Sequence, residues 1–268
     1  MLNPIEGEIL YIDKPLGITS FSVVKQVRGV LRHRLGRKSI HVGHAGTLDP
    51  LATGVLIVCT GRKTKHIEQL QAGVKEYVAT IRLGATTPSF DLETAIDATY
   101  PWQHITREQV EAVLRDQFTG SIEQVPPAFS ACKIGGKPAY KLARKGREVE
   151  IKAKTLVIDE IEVLQCGLPG EPSLTIRVVC SKGTYIRALA RDIGLALDSG
   201  AHLTGLRRTQ VGSTRVEQCL SLDEAITRLE TADMVTAEEA ERALLEAERI
   251  ANRERAARLK ARHHTPTT

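Results

Sequence analysis

Residues 43–59 read GHAGTLDPLATGVLIVC. Positions 43–54 form a glycine-punctuated loop, and 55–59 form the short apolar strand that the loop feeds. Outward from it, residues 75–83 alternate, with Tyr77, Ala79, Ile81 and Leu83 on one face, as a second strand would. On the other side, 7–12 reads as a strand and 13–17 (DKPLG) as a turn. Thr19 or Ser20 then caps a helix to about Leu31, with Val23, Val24, Val27 and Leu31 on one face. Helices are predicted at 107–118, from Pro138 to Gly146, from the turn at 182–184 to Leu197, and at 222–229. Strands are predicted at 155–164, 174–180 and 203–211. Helices and strands do not alternate strictly, which predicts an α+β fold: a mixed, largely antiparallel central sheet flanked by helices.

The chain has 268 residues, 42% hydrophobic and 26% charged, enough to bury a sizeable core. It contains no run of eighteen apolar residues, and Glu6, Glu8 and Asp13 stand where a signal peptide would carry lysines and a greasy stretch. A soluble, cytoplasmic protein without membrane contact is the expectation. Five cysteines with no C-x-x-C pair suit a reducing compartment and supply no zinc knuckle, so no metal is expected. Aromatic residues make up only 4% of the chain, too few for a platform that stacks successive bases.

Lysine and arginine number 37 against 32 aspartates and glutamates, and their placement says more than the difference. Between Lys14 and Ile67 the only carboxylate is Asp49, where the overall composition would place about six. Ten bases share that window: Lys14, Lys25, Arg28, Arg32, Arg34, Arg37, Lys38, Arg62, Lys63 and Lys65. Such a window is an electrostatic footprint for a phosphate backbone.

Asp49-Pro50 has the form of a helix N-cap followed by proline at the first helical position. Its charge context points instead to chemistry. A carboxylate among cations should stay ionised, with its pKa drawn down by roughly one to three units if an arginine pairs with it. That state suits a nucleophile or an electrostatic stabiliser. A glycosidase-like hydrolase would need a second carboxylate. The window holds none, although a distant one could fold in, so rearrangement within a nucleotide fits better. Residues 180–187 (CSKGTYIR) turn from strand to helix, where backbone amides could hold an anion, and place Arg187 and Arg191 at i and i+4.

Six ordered blocks resemble the tRNA pseudouridine-55 synthases of the TruB family. They are 7–20 (GEILYIDKPLGITS), 44–54 (HAGTLDPLATG), 77–84 (YVATIRLG), 126–146 (PPAFSACKIGGKPAYKLARKG), 181–187 (SKGTYIR) and 200–208 (GAHLTGLRR). The resemblance implies the pseudouridine synthase fold and isomerisation of a T-loop uridine. The N1–C1′ bond breaks, the uracil turns, and C5 bonds to C1′, with no metal or organic cofactor. Asp49 matches the catalytic aspartate, with attack on C1′, addition to the base and elimination through a glycal all open as routes. Tyr77 matches the tyrosine that stacks on the base and Arg187 the arginine paired with the carboxylate. Tyr185 and Leu206 match residues of the uracil pocket, and His44 the residue that fills the space an extruded base leaves. Lys14 and Pro15 match a motif packing behind the active loop.

The resemblance covers about 7–229, which divides the chain into a catalytic domain, 1–230, and a charged helical tail, 231–268. Many bacterial relatives carry a β-rich RNA-binding domain of the PUA type here, and the alternating strands it requires are missing. In the tail, five glutamates with Arg242 lie between 237 and 248, and six bases with Glu254 between 249 and 262, an order that complements a helix macrodipole. The expected partner is the T-arm of tRNA, bound by a monomer. Two rivals stand: a non-catalytic RNA-folding module using the same basic cleft, and a nucleoside hydrolase that would release free uracil.

Overall fold

The computed structural model describes residues 2, 3, 5–130, 132–134, 137, 138 and 151–262. Strands β1 (Ile9–Lys14), β2 (Val42–His44), β3 (Ala52–Thr60) and β4 (Lys75–Leu83) come first. The short strands β5 (Ala85–Thr86), β6 (Ala98–Thr99), β7 (Gly120–Gln124), β8 (Lys133–Ile134) and β9 (Lys137–Pro138) follow. The long strands β10 (Lys154–Cys166), β11 (Ser173–Cys180) and β12 (Ala201–Val211) precede β13 (Thr214–Arg215) and β14 (Leu220–Ser221). Six α-helices are described: α1 (Ser20–Arg34), α2 (Ile67–Ala72), α3 (Arg107–Gln117), α4 (Ile186–Ala196), α5 (Leu222–Thr231) and α6 (Ala237–Arg262).

The central sheet runs β14-β1-β3-β12-β4-β11-β10-β7, with β2 added to β3 and β13 to β12. Only β1 with β14 and β3 with β12 are parallel; the other pairs of this sheet are antiparallel. The expected α+β fold is therefore observed. Strand β3 is apolar without alternation because both its faces are covered. Leu56 and Val58 pack with α1 and α5, while Val55, Ile57 and Cys59 pack with Ala45, Val211 and Val216. Strand β4 buries Tyr77, Ala79, Ile81 and Leu83 against β11, α3 and α4.

Several local expectations shift. The first strand begins at Ile9 and extends through Lys14, because Lys14 pairs with Gly54 of β3. Thr19, not Ser20, caps α1: its side chain accepts from the Ser22 amide at 3.0 Å. No helix follows Asp49; the chain turns at Pro50 and Leu51 directly into β3. The helix expected from Pro138 does not begin there, because Lys137–Pro138 pairs with Lys133–Ile134; positions 139–146 lie outside the described residues. The tail expectation of a helix over 237–262 matches α6, and among the described residues no strand follows β14. No described helix is long and apolar enough to cross a membrane.

Candidate active site

The Asp49 loop is held by its own carbonyls. From 46 to 50 every one accepts a hydrogen bond: Gly46 and Thr47 from the Arg208 guanidinium, Leu48 from the Ser20 hydroxyl, Asp49 from the Ala52 amide, and Pro50 from the Gly17 amide. The Lys14 ammonium also donates to Pro50, at 3.4 Å, besides Pro15 and Ile18 at 2.8 Å. A loop with its backbone this fully engaged presents its one carboxylate in a fixed direction. Two buried cations thus lie beneath it. Burial brings the Lys14 ammonium down to about 8, with Asp49 opposing that shift.

The Asp49 carboxylate emerges at the floor of a cleft, 37% exposed, with the Arg187 Nε 2.9 Å from its Oδ2. Arg187 is itself only 4% exposed, and each of its three nitrogens is engaged. Nη1 donates to the Ser89 carbonyl at 3.0 Å and Nη2 to that of Phe129 at 2.8 Å, and Nε lies 3.7 Å from the Asp91 Oδ2. The second carboxylate that the basic window lacked is therefore supplied from afar. Asp91 is buried, accepts from the Glu93 amide at 2.9 Å, and faces the guanidinium rather than open water.

This arrangement corrects the expected ionisation of Asp49. Its carboxyl lies above the ordinary carboxylate value, not below it, because desolvation in the cleft outweighs the Arg187 cation, and Asp91 and Glu93 add to the upward push. An arginine that is itself balanced by a second aspartate has less attraction to lend.

Asp49, Tyr77, Tyr185, Arg187 and Leu206 line one cavity, together with Thr47, Leu48, Thr184 and Ile186. Tyr77 is 8% exposed, and burial pushes its phenol up while Arg208 pulls the other way. Tyr185 precedes α4 and is clamped by Gln124: its amide donates to the Gln124 Oε1 at 2.9 Å, and the Gln124 Nε2 donates to its carbonyl at 3.2 Å. His44, on β2, is not among the cavity walls. Its Nδ1 is buried without a hydrogen-bond partner among the described residues, and burial lowers its pKa, with Arg208 adding to the shift. Asp49 also borders a second, mainly apolar recess that includes Leu16, Asp91, Leu92, Leu203 and Leu206.

The other sequence features divide. Arg191 does not join Asp49; it pairs with Asp192 and lies over the Phe90 ring at 5.0 Å. Arg37, His41, Arg62 and Lys65 from the basic window line a separate open cavity with Ser39 and Thr64. Among the described residues no cluster of three or more histidines, cysteines or carboxylates has the form of a metal site. Sequence reasoning missed Asp91 and Gln124, which carry no local motif, and the loop-holding roles of Ser20 and Arg208, the last residues of GEILYIDKPLGITS and GAHLTGLRR.

Comparison with known proteins follows the same lines. Residues 32–186 match the model of the TruB family pseudouridylate synthase N-terminal domain, and 187–258 match that of the tRNA pseudouridylate synthase B C-terminal domain. The tRNA pseudouridine synthase B of Phocaeicola vulgatus is 67% identical over 222 residues, covering 83% of this chain and 93% of that protein. The Flavobacterium johnsoniae protein of the same name is 48% identical over 219 residues, 81% of this chain and 94% of its own. Among solved structures, one of a Cbf5-Nop10-Gar1 complex superposes with a TM-score of 0.61 at 28% identity, over 84% of this chain; the chain spans 55% of that protein's length. With family models covering positions 32–258 and relatives of this identity aligned along four-fifths of its length, the chain belongs to the TruB family of pseudouridylate synthases.

Proposed function

We propose that Asp49, Arg187 and Tyr77 form the reacting centre at which this enzyme isomerises uridine to pseudouridine in tRNA, the target being the T-loop uridine at position 55. The observation that carries the reading is the single half-buried carboxylate, 2.9 Å from a buried guanidinium, at the floor of a cavity walled by Tyr77, Tyr185 and Leu206. A uridine swung out of its loop places its base between the two phenols and the leucine, and its sugar toward Asp49. The N1–C1′ bond breaks and the C5–C1′ bond forms. The proton lost from C5 is matched by the one gained at N1, so no water or redox partner enters the balance. Asp49, poorly solvated in the cleft, stabilises or attacks the electron-poor fragment, and Arg187 holds the carboxylate oriented. Tyr77 packs on the base and lies close enough to serve a late proton transfer. His44 supports the stack from which the base leaves.

Action as a monomer, in the cytoplasm where tRNA matures, belongs to the same proposal. The same reading divides the chain near residue 230, with α6 as a basic-ended arm for tRNA phosphates rather than part of the catalytic body. Asp91 is committed to Arg187 and the Glu93 amide, so it is badly placed to activate water, and this favours rearrangement over hydrolysis. The test is product analysis on T-loop RNA carrying labelled uridine. Labelled pseudouridine at the T-loop position is the expected result. Free uracil would mean a hydrolase, and unchanged uridine would mean an RNA-binding module without this chemistry.

A further inference from the structure

Arg208 is the bulkiest of the fully buried side chains, 2% exposed, and among the described residues it makes no ion pair with a carboxylate. Its guanidinium is satisfied by carbonyls alone: Nε donates to Val55 at 2.8 Å, Nη2 to Gly46 at 3.2 Å and Nη1 to Thr47 at 3.4 Å. Burying an unneutralised cation is costly, and an apolar side chain of similar size would fill the same space with less penalty. Stability therefore gives no reason for an arginine here, whereas position does. In the register of β12, Arg208 pairs with Tyr77 of β4 on one side and with Gly54, at the exit of the Asp49 loop, on the other. Its approach to Gly54 is so close that a Cβ there would overlap the Arg208 carbonyl oxygen. Arg208 thus lies beside Tyr77 across the strand pair, and its charge draws the phenol down against its burial.

We infer that Arg208 is a positioning residue for the isomerisation, one side chain that holds the Asp49 loop at Gly46 and Thr47 from a strand position paired with Tyr77, and so sets these two groups relative to each other. A lysine offers a point charge with three donors and cannot span the same fork of carbonyls, so charge alone does not replace it. The inference rests on the reading of Asp49 and Tyr77 as the reacting pair, and its test is built to separate the two.

The experiment compares Arg208→Lys and Arg208→Met in the full chain, each alone and combined with Tyr77→Phe, by single-turnover rate and RNA affinity. Tyrosine labelled with carbon-13 at the ζ position supplies an activity-independent readout of the phenol by NMR. Arg208→Lys is expected to slow turnover by about 10- to 100-fold with RNA affinity held within about threefold. Combined with Tyr77→Phe it should cost much less than the product of the two single effects. The Tyr77 resonance should move in both Arg208 variants while the other tyrosines stay in place. If Arg208→Met fails to fold, Arg208→Lys decides alone; if neither folds, Arg208 is a structural residue and the inference is overturned. It is equally overturned by native turnover in Arg208→Lys, by losses that multiply independently with Tyr77→Phe, or by an unmoved Tyr77 resonance. A shifted resonance alongside an active Asp49→Asn enzyme would instead keep the Arg208 contact and reject the reading of the site.

Discussion

Arg187 Nε lies 2.9 Å from Asp49 Oδ2, yet burial and not this cation sets the direction in which the Asp49 carboxyl titrates. Arg187 divides its charge between Asp49 and Asp91, and each aspartate limits what the arginine can do for the other. The site is therefore tuned toward a poorly solvated carboxylate that gains proton affinity without losing its orientation.

A pH consequence follows from that balance. On the proposed reading turnover needs the ionised form of Asp49, so it should fall as pH drops through a pKa above the ordinary carboxylate value. Asp91→Asn removes one of the charges that push this pKa up. The acid limb of the kcat/KM profile should move to lower pH, with kcat reduced about tenfold because Arg187 loses an anchor. A pH–rate series on both proteins checks this, and an acid limb that stays put would separate Asp91 from the ionisation of Asp49.

Ser20→Ala removes a buried hydroxyl that donates to the Leu48 carbonyl at 3.0 Å and accepts from the Leu48 amide at 2.8 Å. Two backbone groups beside Asp49 lose their partner, for an expected loss of about 1–3 kcal/mol in urea unfolding. Turnover should fall more than RNA affinity. Equal losses in both would mean that Ser20 supports the RNA-binding surface as a whole.

Gly54 adopts φ +104°, and a Cβ at this position meets the Arg208 backbone where β3 and β12 run parallel. Gly54→Ala should lower stability by at least about 2 kcal/mol, more than a helix-surface glycine such as Gly29, where nothing lies within 4 Å. Thermal melts of Gly54→Ala and Gly29→Ala compare the two directly.

Deleting residues 237–268 removes α6, which meets the body at the half-exposed Arg62–Glu248 pair, 3.2 Å apart. Exposed pairs contribute little, so the melting temperature should hardly change. Affinity for tRNA should fall at moderate salt, and the dependence of log affinity on log salt should flatten by roughly one unit for each phosphate that the tail no longer neutralises. An unchanged slope would leave the basic end of the tail without a role in binding.

Much of this molecule was legible from local pattern. Strand β4 alternates because one face is buried, and Asp49 stood out because it is the only carboxylate in a long basic stretch of sequence. Other features depended on distant partners. Ser20 reads as a helix cap because Thr19 and Ser20 are equivalent locally; only the approach of Leu48 separates their roles. Asp91 and Gln124 are single polar residues whose partners, Arg187 and Tyr185, lie far along the chain, so nothing near them in sequence marks them. The direction of the Asp49 shift depends on burial, which charge counting along a sequence does not register.

The most direct measurement is single-turnover formation of pseudouridine by Asp49→Asn on T-loop RNA, with RNA affinity measured on the same preparation. Phosphate contacts dominate affinity, whereas the proposed role of Asp49 lies in the chemical step. The account predicts no detectable pseudouridine and affinity within about threefold of the native protein. Pseudouridine formed at an appreciable rate, or affinity falling in step with turnover, would contradict it.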